Sequence, residues 1–441
     1  MCIRDRNNSF PEVSIHDQQT LVPAMFVVVM LTLALLLRSF TATLGTVLVI
    51  VFSVITAMGL AGWAGMKLTP PSASSPTIIL TLAVADCVHI LVTFLHAMRR
   101  GMDKTSAMVE SLRINLQPVF LTSVTTAIGF MSLNFSDAPP FRDLGNIVAV
   151  GVMLAFVYSI TLLPALMLLM PVHIKPGKTR HTRFMDRFAD LVVERRNFLL
   201  WGTGFIIVTL VVLIPRNELN DEFIKYFDET IDFRRSTEYT SDNLTGLYTI
   251  DYSLGAGESG GISNPGFLQD VERFASWYKT QPEVLHVNML PDILKRLNMN
   301  MHSDDREWYR LPEQRDLAAQ YLLLYEMSLP YGLDLNNQID VGKSATRMTV
   351  TVRNISSNEM LALEHKAQDW LAKNAPSMKS AGASPSVMFA HIGQRNIISM
   401  LTGTTVALVL ISGILIIALQ SFKIGCMSLI PNLAPAAMGF G

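Results

Sequence analysis

Leu82-Ala83-Val84-Ala85-Asp86-Cys87-Val88-His89-Ile90 is the stretch on which the reading of this chain turns. It lies inside an apolar run, residues 76–97, long enough to cross a hydrocarbon core of about 30 Å at about 1.5 Å per residue. A carboxylate at that depth costs at least ~2.5–3.5 kcal/mol on insertion scales, so it is expected to face the bundle or a watery cavity and to handle protons. His89 follows three residues on, which places it on the same helix face as a second titratable group. Asp86 and His89 are therefore the candidate proton relay.

Seven more apolar runs extend the pattern, near 21–37, 43–64, 115–133, 145–170, 198–214, 397–419 and from 424 onward. Across all eight, Asp86 is the only Asp, Glu, Lys or Arg. Charged residues make up 16% of the 441, against the ~25% usual in soluble proteins, and apolar types reach 50%. Net charge is −1 with no basic stripe, which argues against a nucleic-acid partner. Cys2, Cys87 and Cys426 make neither a disulfide framework nor a Cys/His metal spacing, and no cofactor is expected. The chain reads as a polytopic α-helical membrane protein.

Orientation follows from the connections. One set carries Arg38, then Arg99, Arg100, Lys104 and Arg113, then Lys175, Lys178, Arg180, Arg183, Arg187, Arg195 and Arg196, then Lys423. The other set offers Lys67 and Arg142. The positive-inside rule puts the first set in the cytoplasm. Residues 216–396, of ordinary soluble composition, then lie outside the cytoplasm. The expected division is a bundle over 21–171, a basic linker over 172–197, a sixth span over 198–215, the external domain over 216–396, and spans seven and eight over 397–441. Phe184, Phe188, Leu191 and Val192 fall at helical spacing in the linker, as in an interfacial helix.

The external region reads as mixed α/β. Strands are expected at Gly246–Leu254 and Arg347–Val352, with a short third at Ser386–Ala390. Helices are expected at Pro265–Tyr278, capped by Asn264, and at Asn358–Lys373. Such strand–helix units suggest a split βαβ (ferredoxin-like) module. It shows no nucleophile motif or metal cluster, and His286, His302, His365 and His391 are scattered, so no enzyme is expected.

In segment four, Thr122, Ser123, Thr125 and Thr126 offer hydroxyls, of which Thr122, Thr125 and Thr126 are candidates to line a cavity beside Asp86. Tyr158 in segment five is a further candidate. Gly59, Gly62 and Gly65, and Gly129, read as close helix-contact positions.

Segments seven and eight echo one and two. Ala34-Leu35-Leu36-Leu37-Arg38-Ser39-Phe40 compares with Ile416-Ile417-Ala418-Leu419-Gln420-Ser421-Phe422. Parallel repeats about an axis along the membrane normal are a transporter architecture. The repeat predicts a longer protein, in which residues 7–20 are the remnant of a first external domain and the second half continues past Gly441. Residues 1–6 resemble the translation of a transposon end and are set apart from the fold.

Four passages together resemble the resistance–nodulation–division (RND) superfamily, in the branch of the MMPL exporters and sterol-sensing proteins. They are Asp86-Cys87-Val88-His89-Ile90, the run from Pro118 to Phe130, Leu144-Gly145 leading to Leu163-Pro164-Ala165, and Ser421-Phe422 followed by Ile430-Pro431-Asn432. The resemblance implies two six-span halves, an external domain in each, and proton-driven export of hydrophobic or lipid-like compounds from a bacterial inner membrane. Its proton-carrying carboxylate maps to Asp86. Leu82 stands where the family pattern has Gly, and Cys87 where the MMPL pair has Tyr, which turns the expected relay toward His89. The expected partners are protons, the substrate and membrane lipids, with homo-oligomerisation open. The alternative function is a sterol-sensing-type lipid receptor that does not pump, and proton coupling separates the two.

Overall fold

The computed structural model describes residues 3–172, 182–217, 223–330 and 335–439. The apolar region opens with α1 (Ile3–Leu37) and α2 (Phe40–Trp63), and the chain closes with α14 (Pro385–Leu419) and α15 (Phe422–Gly439). One turn geometry serves both pairs. Arg38 and Gln420 are each left-handed, with φ of 49° and 46°. In each turn the next serine caps the following helix: Ser39 Oγ accepts from Ala42 N at 3.4 Å, and Ser421 Oγ accepts from Ile424 N at 3.3 Å. The two turns that the sequence pairs as a repeat thus share their backbone and their cap.

Between them run α3 (Ser75–Arg99), α4 (Lys104–Met131), α5 (Pro139–Ile160), α6 (Leu162–Leu169), α7 (Thr182–Glu194) and α8 (Arg196–Leu213). Seven stretches of the described chain are long and apolar enough to cross a membrane, and α15 coincides with the eighth expected segment. The fifth expected segment is broken between α5 and α6. Pro164 has no N–H for the carbonyl of Ile160 and its ring crowds that carbonyl, so α5 stops there. Residues 7–20 are helical and continuous with span one. In the basic linker, residues 173–181 and the side chain of Phe184 lie outside the described residues; Phe188 and Leu191 on α7 are exposed.

The chain forms two compact units: Asn7–Glu218 with Asn396–Gly441, and the body of 219–395. In the first, α2, α3, α4 and α5 pack together around Val49, Ile79, Ala83, Ile90, Phe94 and Val148. Close approach is set by glycines other than those expected. A Cβ on Gly145 would strike Phe130 O and come within 2.9 Å of Leu133 Cβ, and one on Gly151 would strike Ile79. Gly59, Gly62, Gly65 and Gly129 would meet nothing within 4 Å, which corrects their reading as contact positions: Gly59 and Gly62 on α2 and Gly129 on α4 face open space, and Gly65 lies in the turn beyond α2 with a φ of 73°.

The second unit continues with α9 (Asp232–Asn243), β1 (Tyr248–Gly255), α10 (Pro265–Lys279), β2 (Val284–Asn288), α11 (Leu290–Met301), α12 (Arg315–Ser328), β3 (Ala345–Val352) and α13 (Ser357–Asn374). The sheet order is β1-β3-β2, with β3 antiparallel to both neighbours, so β1 and β2 run the same way with β3 between them. Beyond β1, Asp251 pairs with Ala383 in a single antiparallel bridge. Alternation drives the layering: Ile250, Tyr252 and Leu254 of β1 and Met348, Val350 and Val352 of β3 point to one face and meet Phe274 and Tyr278 of α10 and Leu363 and Ala367 of α13. Asn264 caps α10 as expected, accepting from Gly266 N at 2.9 Å. Ser386–Ala390 is not a strand but the first turns of α14; its buried Val387 and Ala390 are three apart, a helical spacing. The missed strand is β2, an edge strand with a register shift between Val284 and His286 and one fully buried side chain, Val287.

Candidate functional site

The site sits where α3 and α4 pack antiparallel. Pro76 in the first turn favours the start of α3. Asp103 caps α4 by accepting from Ser106 N at 3.0 Å. Along α4 the buried residues are Ala107, Ser111, Asn115, Val119, Ser123 and Ala127, a stripe of period four joined by Met108. Along α3 they include Ala83, Asp86, Cys87, Ile90 and Phe94.

Asp86 is 7% exposed, and Ser123 on the α4 stripe is 2% exposed. Ser123 Oγ lies 3.2 Å from Asp86 Oδ2 and 2.8 Å from the carbonyl oxygen of Val119. Ser123 is the hydrogen-bond partner of Asp86 among the described residues. A serine has one hydroxyl proton and two lone pairs. When Asp86 is ionised, Ser123 can aim its proton at the carboxylate or at Val119 O, but not fully at both. When Asp86 is protonated, its O–H can donate to Ser123 Oγ while Ser123 donates to Val119 O. The neutral acid therefore satisfies all three groups, and the ionised one leaves a competition for a single proton.

The other expected residues are not gathered here. His89 is exposed, and no hydrogen bond joins it to Asp86 among the described residues. Three residues along a helix differ by about 60° around its axis, enough to put Asp86 at the seam and His89 outside it. Thr122 is exposed and turns its hydroxyl to Pro118 O and Val119 O of its own helix, at 2.8 and 3.0 Å. Thr125 donates to Thr122 O at 3.1 Å, and Thr126 is half-buried beside the stripe. Tyr158 OH lies 3.0 Å from Thr56 Oγ1 on α2, and its ring meets Phe52 edge-on at 6.5 Å. The hydroxyl that reaches Asp86 is the one at 123. Its signal was the four-residue spacing of Ser111, Asn115, Val119, Ser123 and Ala127, which Thr122, Thr125 and Thr126 do not share.

Among the described residues no three His, Cys, Asp or Glu side chains converge as a metal site. A separate cavity of about 360 Å³ opens between α1 and the start of α3, walled by Val13, Leu21, Val22, Pro70 and Ala73 with Asp17, Gln18, Ser74 and Thr77. It shares no residue with the Asp86 site.

Residues 7–197 match the model of the MMPL family. A membrane protein of Methanocaldococcus jannaschii is 26% identical over 148 residues, which are 34% of this chain and 38% of that protein. The sulfolipid-1 exporter MmpL8 of Mycobacterium tuberculosis is 25% identical over 156 residues, 35% of this chain and 14% of MmpL8. The chain thus spans well under half the length of these relatives. Among solved structures, the hedgehog release protein Disp of the water bear Hypsibius dujardini superposes with a TM-score of 0.59 at 14% identity, over 98% of this chain and 57% of that one. At that identity the likeness is one of fold.

Proposed function

The chain is RND/MMPL-like, and from that premise we propose that it works in a proton-driven secondary transporter moving hydrophobic or lipid-like molecules out of a bacterial cytoplasmic membrane, with Asp86 as the proton carrier. The observation that carries this reading is the Ser123 hydroxyl set between Asp86 Oδ2 and Val119 O, because its bonding differs between the two protonation states of Asp86. A carboxylate packed in an apolar bundle with a neutral hydroxyl as its partner is costly to keep for packing alone, and uptake and release of a proton is the use that offsets the cost. Among the described residues no bond joins His89 or the threonines of α4 to Asp86, so the reading rests on Asp86 and Ser123.

A lipid-like cargo is supported by the name of MmpL8 as a sulfolipid-1 exporter and by the apolar walls of the cavity beside α1. We place the basic connections in the cytoplasm and the α/β unit outside it, on the bias of Lys and Arg. The α/β unit is proposed to be a split βαβ (ferredoxin-like) module. In its support, β1 and β2 lie parallel on either side of β3, connected through α10, and the Asp251–Ala383 bridge stands where a fourth strand would pair.

The test is transport by the full chain in proteoliposomes, with an imposed pH gradient and a fluorescently labelled phospholipid as cargo. Asp86→Asn is expected to abolish gradient-driven movement while leaving the protein folded. Undiminished movement in that variant would refute the role of Asp86. Binding of the lipid without gradient-driven movement in the wild type would favour a lipid receptor instead.

A further inference from the structure

Between Asp86 and the basic ends of α3 and α4, three more polar groups are tied across the same seam. Ser111 Oγ donates to Ile90 O at 2.6 Å, and Asn115 Nδ2 donates to Thr93 Oγ1 at 2.9 Å. Asn115 also donates to Ser111 O at 2.8 Å, and Thr93 Oγ1 donates to His89 O at 3.1 Å. Ser111 is fully buried and Asn115 is 8% exposed. On the opposite side of Asp86, α3 buries Ile79, Leu80 and Ala83 before it reaches the buried Ser75 in its first turn, and the α4 stripe ends on Ala127 with Thr126 half-buried beside it. The buried stripes are therefore polar toward the basic ends and, over the two turns nearest the carboxyl group, apolar in the other direction.

We infer that the Ser111–Asn115–Thr93 cluster is the route by which protons pass between Asp86 and the face of the membrane that carries Arg99, Arg100 and Lys104. This rests on the proposed role of Asp86. Hydroxyls and amides can hold water in a chain, whereas the packed alkyl groups of Ile79, Leu80, Ala83 and Ala127 offer no donor or acceptor. The step is a proton transfer with water as co-reactant. The Asp86 O–H bond breaks, a water next to it gains the proton, and that water passes one of its own protons onward along the groups on Thr93, Asn115 and Ser111. Ser111 and Asn115 are positioning residues, since neither touches the carboxyl group.

The titratable groups nearby are few. Cys87 and His89 share α3 with Asp86, as do His96 and Arg99 at its end; α5 contributes Tyr158, bonded to Thr56, with Arg142 and Asp143 in its first turns, and α4 contributes Lys104 at its start and Glu110 and Arg113, paired with each other at 3.1 Å. Among the described residues of α2 there is no titratable side chain. A proton leaving Asp86 along the seam thus meets neutral polar groups first.

The experiment uses the full chain in oriented proteoliposomes, with protons as the probe. The infrared carboxyl band that disappears in Asp86→Asn is followed after a pH jump on one face or the other. Asn115→Leu is expected to slow the response about tenfold for a jump on the Arg99–Lys104 face and to leave the other face unchanged. Asn115→Ser, which keeps a polar group, should restore most of the rate, and Ser111→Ala gives a second, smaller block should Asn115→Leu fail to fold. Equal rates in wild type and Asn115→Leu on both faces would overturn the route while leaving Asp86 as a proton carrier. So would equal slowing on both faces without rescue by Ser. A wild-type band that never responds to pH would overturn both the route and the transporter reading.

Discussion

Ser123 Oγ stands 3.2 Å from Asp86 Oδ2, and the same oxygen stands 2.8 Å from Val119 O in its own helix. One hydroxyl thereby serves both as a helix-backbone ligand and as the partner of the bundle's carboxyl group. Ser123→Ala removes the hydroxyl without changing the backbone. Proton-driven movement of labelled phospholipid is expected to fall about ten- to a hundredfold, the size of one hydrogen bond to a charged group, and Ser123→Thr should retain most of it. Equal rates in Ser123→Ala and wild type would exclude the hydroxyl from the cycle.

The approach of α5 to the end of α4 depends on Gly145. Any Cβ there meets Phe130 O and lies within 2.9 Å of Leu133 Cβ, and the first of these is backbone that cannot swing away. Gly145→Val should destabilise the purified protein by roughly 1–3 kcal/mol, as overpacking does. Gly59→Ala and Gly129→Ala, with open space around them, should be neutral or slightly stabilising in the same melts, since each removes a helical glycine.

Lys104 Nζ donates to Leu168 O at 2.8 Å and Met170 O at 2.6 Å, closing the C-terminal end of α6 with a positive charge. Two carbonyls without an intrahelical partner and the negative end of the helix dipole are satisfied together. Lys104→Met should cost about 1–2 kcal/mol in thermal unfolding, and Lys104→Arg should recover part of it. Identical melting of wild type and Lys104→Met would show that solvent serves those carbonyls equally well.

In the α/β unit, Tyr252 OH and Tyr278 OH are 2.6 Å apart and both rings are fully buried. Burial pushes both hydroxyls above the ordinary tyrosine range, with the neighbouring Glu364 adding to the rise. Their folded values are raised, so their contribution to stability is complete below about pH 10 and declines as pH climbs above it, by roughly 1.4 kcal/mol per pH unit for each tyrosine. Tyrosinate absorbance from this pair should therefore appear together with unfolding of the unit, and Tyr252→Phe with Tyr278→Phe should blunt the alkaline loss. Ionisation of the pair in the folded unit near pH 10 would contradict this.

The spans were legible because a 20-residue apolar run leaves few alternatives, and Asp86 was legible because it is a lone charge among them. Helix α10 was legible from its Asn264 cap and its periodicity, and α13 from its periodicity. The partner of Asp86 was not, since four neighbouring hydroxyls in α4 look alike until the stripe through Ser111, Asn115, Val119, Ser123 and Ala127 is traced. His89 misled because a spacing of three places two side chains near each other without placing both in the same contact. β2 escaped because an edge strand with a bulge buries one residue and loses its alternation. Packing glycines were misassigned because a glycine's use depends on the neighbour it faces, which Gly59 and Gly145 do not reveal in their own sequence.

The period-four stripe on α4 has a mechanical corollary. On a helix of about 3.6 residues per turn, each step of four advances about 40° beyond a full turn, so the contact line from Ala107 to Ala127 winds about 200° around the axis like a screw thread. Sliding α4 along α3 without turning it would lift the thread out of its groove. A shift by one whole notch, about 6 Å, would present Val119 or Ala127 to Asp86 in place of Ser123. The carboxyl group would then face an alkyl wall, so the pair has indexed positions with a hydroxyl in one and none in the next.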